Sequence, residues 1–144
     1  MEINRPYLLF LGDAADQLAA KTANGVARWR PEWCVGQLRL PGCQADVGLP
    51  EKSLEEGIAA GARTLIVGVA NRGGVFSEQW RQALMEAVRL GYDIASGLHN
   101  RLEEIEELRR ATEDRGTRLV DVRHPTTSFL LGNGRKRAGK RLLT

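Results

Sequence analysis

Residues 6–19 read PYLLFLGDAADQLA, and the change of character inside this stretch decides the fold. Tyr7 to Leu11 is a continuous apolar run, as a strand shows when both its faces are buried in a parallel sheet. Pro6 stands at its start, where a missing N–H costs least. Gly12 and Asp13 then turn the chain. Ala15, Leu18, Ala19, Thr22, Val26 and Trp29 follow at helical spacing on one face, weakened at Gly25, until Pro31 ends the helix.

The same alternation continues outward. A second strand is expected near Trp33 to Leu38, followed by an irregular Pro- and Gly-bearing loop, LPGCQADVGLP. Ser53 with Glu56 forms a capping box for a short helix that Gly61 closes. Thr64 to Val69 (TLIVGV) is the third strand. Ser77 caps a helix whose inward face is Trp80, Leu84 and Val88, stopped at Gly91. Tyr92 to Ser96 is the fourth strand. Leu102, Ile105, Leu108 and Thr112 line a further helix ending at Gly116, and Arg118 to Val122 is the fifth strand. The expectation is an α/β domain over residues 1–122. It is Rossmann-like and doubly wound, with a mainly parallel five-stranded sheet in the order 3-2-1-4-5 and helices on both faces. Residues 123–144 read as a basic linker running into the start of another strand, RLLT, as though the chain were the N-terminal part of a longer protein.

Composition narrows the function classes. The length of 144 residues fits one domain, with 42% hydrophobic and 27% charged residues. No apolar run reaches the ~18 residues of a membrane span, and the N-terminus lacks the basic region of a signal peptide. The net charge of +3 is uneven: Arg123, Arg135, Lys136, Arg137, Lys140 and Arg141 have no acid among them, so residues 1–122 carry −3. The basic character belongs to a tail, and aromatic residues are not interleaved with it, which argues against nucleic-acid binding. Cys34 and Cys43 form no CxxC, and only two histidines exist, so no metal site is expected. The thiols read as reduced in a cytoplasmic protein.

In an open parallel sheet, ligands bind beyond the carboxyl ends of the strands. After the first strand come Gly12 and Asp13. Asn71, Arg72, Gly73 and Gly74 follow the third; Ser96, Gly97, His99, Asn100 and Arg101 follow the fourth; Arg123 and His124 follow the fifth. Arginine presents a planar fork suited to carboxylate or phosphate, and the glycines admit close backbone approach. The expected ligand is a small acidic substrate or an acyl-carrier phosphate, held by Asp13, Asn71, Arg72, Gly73, Gly74, Ser96, His99, Asn100, Arg101 and Arg123. Arg and Asn in such loops also cap helices and make surface ion pairs, so the joint placement carries the reading. His99 and His124 are the acid/base candidates, with His124, beside Pro125, read first as a structural hydrogen-bonding residue. Asp13 is read first as the N-cap of the first helix and second as a ligand group.

Two motifs fall short. LGDAADQLA has one glycine where a dinucleotide fingerprint needs three. GRKRAGKR, residues 134–141, matches GxxxxGK, but Arg141 stands where the magnesium-holding Ser or Thr belongs.

The segments LLFLGDAADQLAAKTANGVARWRPEWCVGQLRLPGC, GVANRGG, IASGLHNRL, DVRHP and GKRLLT resemble the N-terminal portion of the D-glutamate N-acetyltransferase family, across nearly the whole chain. The resemblance implies a Rossmann-like domain followed by a P-loop NTPase-like domain, with acetyl transfer from acetyl-CoA to the amine of D-glutamate in a catabolic route. It implies no cofactor within this portion, acetyl-CoA for the full-length parent, and a nucleotide at the P-loop half. The expected partners are a small acidic amino acid, the chain's own C-terminal domain and a second copy in a homo-oligomer. The resemblance assigns no catalytic residue to this portion, which is expected to be inactive alone. The alternatives are a non-catalytic scaffold that orients the P-loop half and builds an oligomer, and a nucleotide-binding oxidoreductase-like domain.

Overall fold

The computed structural model describes residues 2–124. The chain runs β1 (Tyr7–Gly12), α1 (Lys21–Trp29), β2 (Cys34–Arg39), α2 (Leu54–Ala59), β3 (Thr64–Val67), α3 (Glu78–Leu90), β4 (Asp93–Ser96), α4 (Glu106–Arg115) and β5 (Leu119–Asp121). Short 3-10 turns precede α1 at Gln17–Ala20 and occupy the loops at Pro31–Trp33, Arg72–Gly74 and Leu102–Glu104. All strand pairs are parallel, in a five-stranded sheet of order β2-β1-β3-β4-β5. The doubly wound α/β class therefore holds. α1 packs one face, while on the other α3 touches both α2 and α4.

The order corrects 3-2-1-4-5 at one place, because β3 inserts between β1 and β4 instead of lying at the edge. Its TLIV run is buried throughout, as a strand with neighbours on both sides must be. β2 takes the edge, its burial broken to half-exposed at both ends. Beyond β1, its only further β-pairing among the described residues is the isolated bridge Gln37 to Glu51 in the irregular loop. β1→β2 and β2→β3 thus leave in opposite directions, and the switch in direction falls between β1 and β3.

The inward face of α1 also differs from expectation. Ala20, Ala23 and Ala27 are buried, whereas Leu18 and Trp29 are each 75% exposed. Close approach explains the choice. The Ala23 amide donates to Gly68 O at 3.0 Å, and a Cβ on Gly68 would lie 2.4 Å from Ala23 Cβ, so bulky residues cannot face the sheet there. Between α1 and the β3–β4 face runs an apolar groove of about 400 Å³, lined by Tyr7, Val26, Trp33, Ile66, Ala95 and Val122.

Caps at α2 and α3 form as expected. Ser53 and Glu56 complete the capping box, Ser77 Oγ accepts from the Trp80 amide, and Gly91 closes α3 in the left-handed region. The fourth helical stretch splits into the turn at Leu102–Glu104 and α4, with Leu102, Leu108 and Thr112 still buried. From residue 125 on, the basic tail, with its P-loop-like match and terminal RLLT, lies outside the described residues.

Cys34 and Cys43 are free thiols. Burial, aided by Glu32, pushes the Cys34 thiol up to about 11 from an ordinary 9.0. A thiol at about 11 in place of 9.0 presents about 100-fold less thiolate at pH 8. Iodoacetamide labelling of Cys34, followed by peptide mass spectrometry, is therefore expected to be slow in native protein. It should climb about tenfold per pH unit up to pH 10 and be released by urea. Equal native and unfolded rates would refute burial as the controlling factor.

Candidate active site

The end of β1 and the start of α3 are built around Trp80. Gly12 turns the chain with φ +54, and a Cβ there would lie 2.8 Å from the indole. The buried ring meets Phe10 edge-on at 5.5 Å and Phe76 at 6.1 Å, and its Nε1–H donates to Asp13 Oδ1 at 2.7 Å. This corrects the capping role expected of Asp13. The capping residue is Asp16, at the head of the Gln17–Ala20 turn that leads into α1; its Oδ1 accepts from the Ala19 amide at 2.8 Å. The next helical turn begins three residues later than the sequence spacing implied, which frees Asp13 to reach across to α3.

Beyond this wedge, at the β1/β3 switch point, lies a crevice of about 340 Å³. Ala14, Ala19, Val69 and Ala70 form apolar walls, and Asp13, Asn71 and Ser77 supply the polar groups. The hydrogen bond from the Ala70 amide to Ala19 O at 2.8 Å closes one side. An anion at the start of the first helical turn would meet a protein carboxylate already in place, since Asp16 occupies the Ala19 N–H. That occupation, with the missing glycines, weighs against a dinucleotide pyrophosphate at this turn.

The residues after β4 and β5 form a second, adjoining group. Leu102 N donates to both Asp121 oxygens at 3.0 and 3.1 Å, Arg123 Nε donates to Gly97 O at 2.9 Å, and His124 Nε2 lies 2.9 Å from His99 O. Asp121, Arg123 and His124 thereby hold the loop after β4 against the end of β5. Ser96 is buried, its Oγ accepting from the Leu98 amide, so it shapes the loop from beneath. Asn71 Nδ2 reaches Asn100 Oδ1 at 3.4 Å and links the two groups. Gly73 and Gly74 both have φ +72, and a Cβ on Gly74 would lie 3.2 Å from Asn100 Oδ1. The His99 ring and the Arg101 guanidinium are exposed and make no hydrogen bond or ion pair among the described residues. The backbone of Arg72 lies in its 3-10 turn; its side chain lies outside the described residues.

The expected cluster thus splits into an Asp13–Asn71 crevice and an Arg101–His99 rim. Trp80, Ser77 and Asp121 are the residues that strand-end reasoning missed as site components. Trp80 showed in sequence only as an inward helix position. Among the described residues, no group of three His, Cys, Asp or Glu is placed to hold a metal ion. No described helix is long and apolar enough to cross a membrane.

Residues 38–125 match the model of a Rossmann-like domain of unknown function, DUF1611_N. The chain belongs to the DUF1611_N family. Two curated relatives, both named D-glutamate N-acetyltransferase, come from Tritonibacter scottomollicae and Pseudoalteromonas sp. The first is 53% identical over 98% of this chain and 42% of its own length. The second is 46% identical over 100% of this chain and 43% of its own length. The chain therefore spans about two-fifths of the length of the curated relatives it matches. Among solved structures, a DUF1611 family protein from Anabaena variabilis superposes with TM-score 0.70 at 21% identity, covering 91% of this chain and 40% of that one. Staphylococcus aureus homoserine dehydrogenase does so with TM-score 0.51 at 12% identity, over 83% and 33%. At these identities the two likenesses show the Rossmann-like fold alone.

Proposed function

We propose that this DUF1611_N chain is the N-terminal domain of a cytoplasmic D-glutamate N-acetyltransferase and supplies one wall of the amino-acid pocket. The observation that carries the reading is 53% identity along 98% of the chain to a relative of that name. The site is compatible with it. Arg101, exposed and without an ionic partner among the described residues, stands ready to pair with a substrate carboxylate. In this reading acetyl-CoA, and a nucleotide if one is used, belong to the remaining length that the relatives carry.

In the full-length protein, Arg101→Ala is expected to lower kcat/KM for D-glutamate about 10- to 100-fold, the worth of a charge-assisted hydrogen bond. An unchanged kcat/KM would remove Arg101 from the pocket. The apolar groove beside α1 favours a second reading, a scaffold that builds a homo-oligomer and leaves ligand contacts to the rest of the protein. Sedimentation of the chain as an oligomer, with no thermal shift from D-glutamate, acetyl-CoA or nucleotides, would favour that reading instead.

A further inference from the structure

We propose that Asp13 is an ammonium anchor: it holds the amino group of the amino-acid substrate in the β1/β3 crevice. The identity of that amino acid rests on the reading above; the ammonium preference rests on the crevice itself.

The charge of the crevice favours a cation. Of the described side chains lining the crevice, Asp13 alone is ionisable, and it is negative. Its neighbours are methyl walls and the neutral Asn71 and Ser77. A carboxylate or phosphate seated there would face Asp13 with no described cation between them. A cationic group would gain from the same contact.

Asp13 is preorganised. Trp80 Nε1–H fixes Asp13 Oδ1, and the indole is itself locked by burial against Phe10 and Phe76. Oδ2 has no hydrogen-bond partner among the described residues. A primary ammonium carries three donors, and the three polar side chains that line the crevice each carry an acceptor oxygen, that of Ser77 also accepting from the Trp80 amide. The three oxygens are Asp13 Oδ2, Ser77 Oγ and the Asn71 carbonyl oxygen, whose amide nitrogen is turned toward Asn100.

Charge is also divided along the sheet edge. β1 and β4 are separated by β3 alone, so their ends stand about 10 Å apart. Arg101 follows β4. An acidic amino acid carries its ammonium and α-carboxylate on one tetrahedral carbon and a second carboxylate at the end of its side chain, so the ammonium can face Asp13 while both carboxylates point away from it. With its ammonium on Asp13, such a ligand extends its side-chain carboxylate along the sheet edge toward the β4 end, and the long Arg101 side chain can cover the remaining distance. A purely anionic ligand would satisfy only the Arg101 side.

The test uses Trp80 as its own reporter, because its indole N–H is bonded to the proposed anchor. In the 144-residue chain, nitrogen-15 labelling of the tryptophans follows that signal during titration with D-glutamate, with glutarate (the same skeleton without the amine) and with ethylamine. D-Glutamate and ethylamine are expected to move the Trp80 signal and glutarate to leave it in place. Asp13→Asn keeps an oxygen acceptor for Trp80 Nε1 and removes only the charge, so the fold persists. It is expected to weaken the amine response about tenfold or more. The proposal is overturned if glutarate moves the signal as D-glutamate does, if Asp13→Asn responds like the parent, or if no amine moves it at tens of millimolar. If ethylamine matches D-glutamate in affinity, the ammonium anchor stands and the dicarboxylate reading falls.

Discussion

Trp80→Ala is expected to lower the stability of the domain by about 3–5 kcal/mol, the range for deleting a buried indole from a core that cannot fully collapse. Its ring is 4% exposed and fills the space between the end of β1 and the first turn of α3. It makes two edge-to-face contacts there, and each such aromatic pair is worth about 0.5–1.5 kcal/mol beyond the area it buries. Urea unfolding followed by far-ultraviolet circular dichroism measures the change. The midpoint should fall with the slope unchanged, because the domain loses packing and not extent. A loss below about 1 kcal/mol would mean that Phe10 and Phe76 close the gap, and that Trp80 is not the wedge. Trp80→Phe separates packing from polarity: it retains most of the contact and removes the donor to Asp13. Its stability cost should be clearly smaller than that of alanine, since the exposed Asp13 carboxylate can take water in exchange.

The difference between those two substitutions also marks where sequence reading stopped. Strands, caps and class were legible because each is a local matter. A continuous apolar run, a Ser–Glu pair three apart and a glycine after the last helical residue declare themselves within a few residues. Sheet order is not local. The sign that β3 is central was present in TLIV, set against the Gly36, Gln37 and Arg39 of β2, but nothing in either segment names its neighbour. α1 misled for a physical reason. Helical spacing gave weight to Leu18 and Trp29 as large apolar residues, while the near contact of Ala23 with Gly68 admits only alanines on the inward face. The site divided in the same way. Placing Asp13 and Asn71 at strand ends needed only the topology rule. That Trp80 reaches Asp13 across 67 positions, or that Asp121 holds Leu102 across 19, comes from packing alone.

Gly12→Ala, at the residue over which this indole is seated, is expected to lower stability by about 2–5 kcal/mol. Two costs contribute. At φ +54 an alanine sits in the left-handed region, at about 1–2 kcal/mol. Its Cβ would also lie 2.8 Å from Trp80 Cε2 and Nε1. The indole must then shift against Phe10 and Phe76, and overpacking of this kind costs about 1–3 kcal/mol. The backbone cost is intrinsic to position 12, whereas the steric cost exists only while the indole is present. A double-mutant cycle therefore separates them. In a Trp80→Ala background, Gly12→Ala should lose its steric part and cost only the backbone strain, giving a coupling energy of about 1–3 kcal/mol. Strictly additive losses would show that the indole yields freely, and that φ alone selects glycine at this turn. The same indole shift carries Nε1 away from Asp13, so in single Gly12→Ala the Trp80 indole resonance should lose its response to amines while the protein remains folded. Stability and ligand contact at the end of β1 would then share one cause, the depth at which Trp80 is seated over a residue that has no side chain.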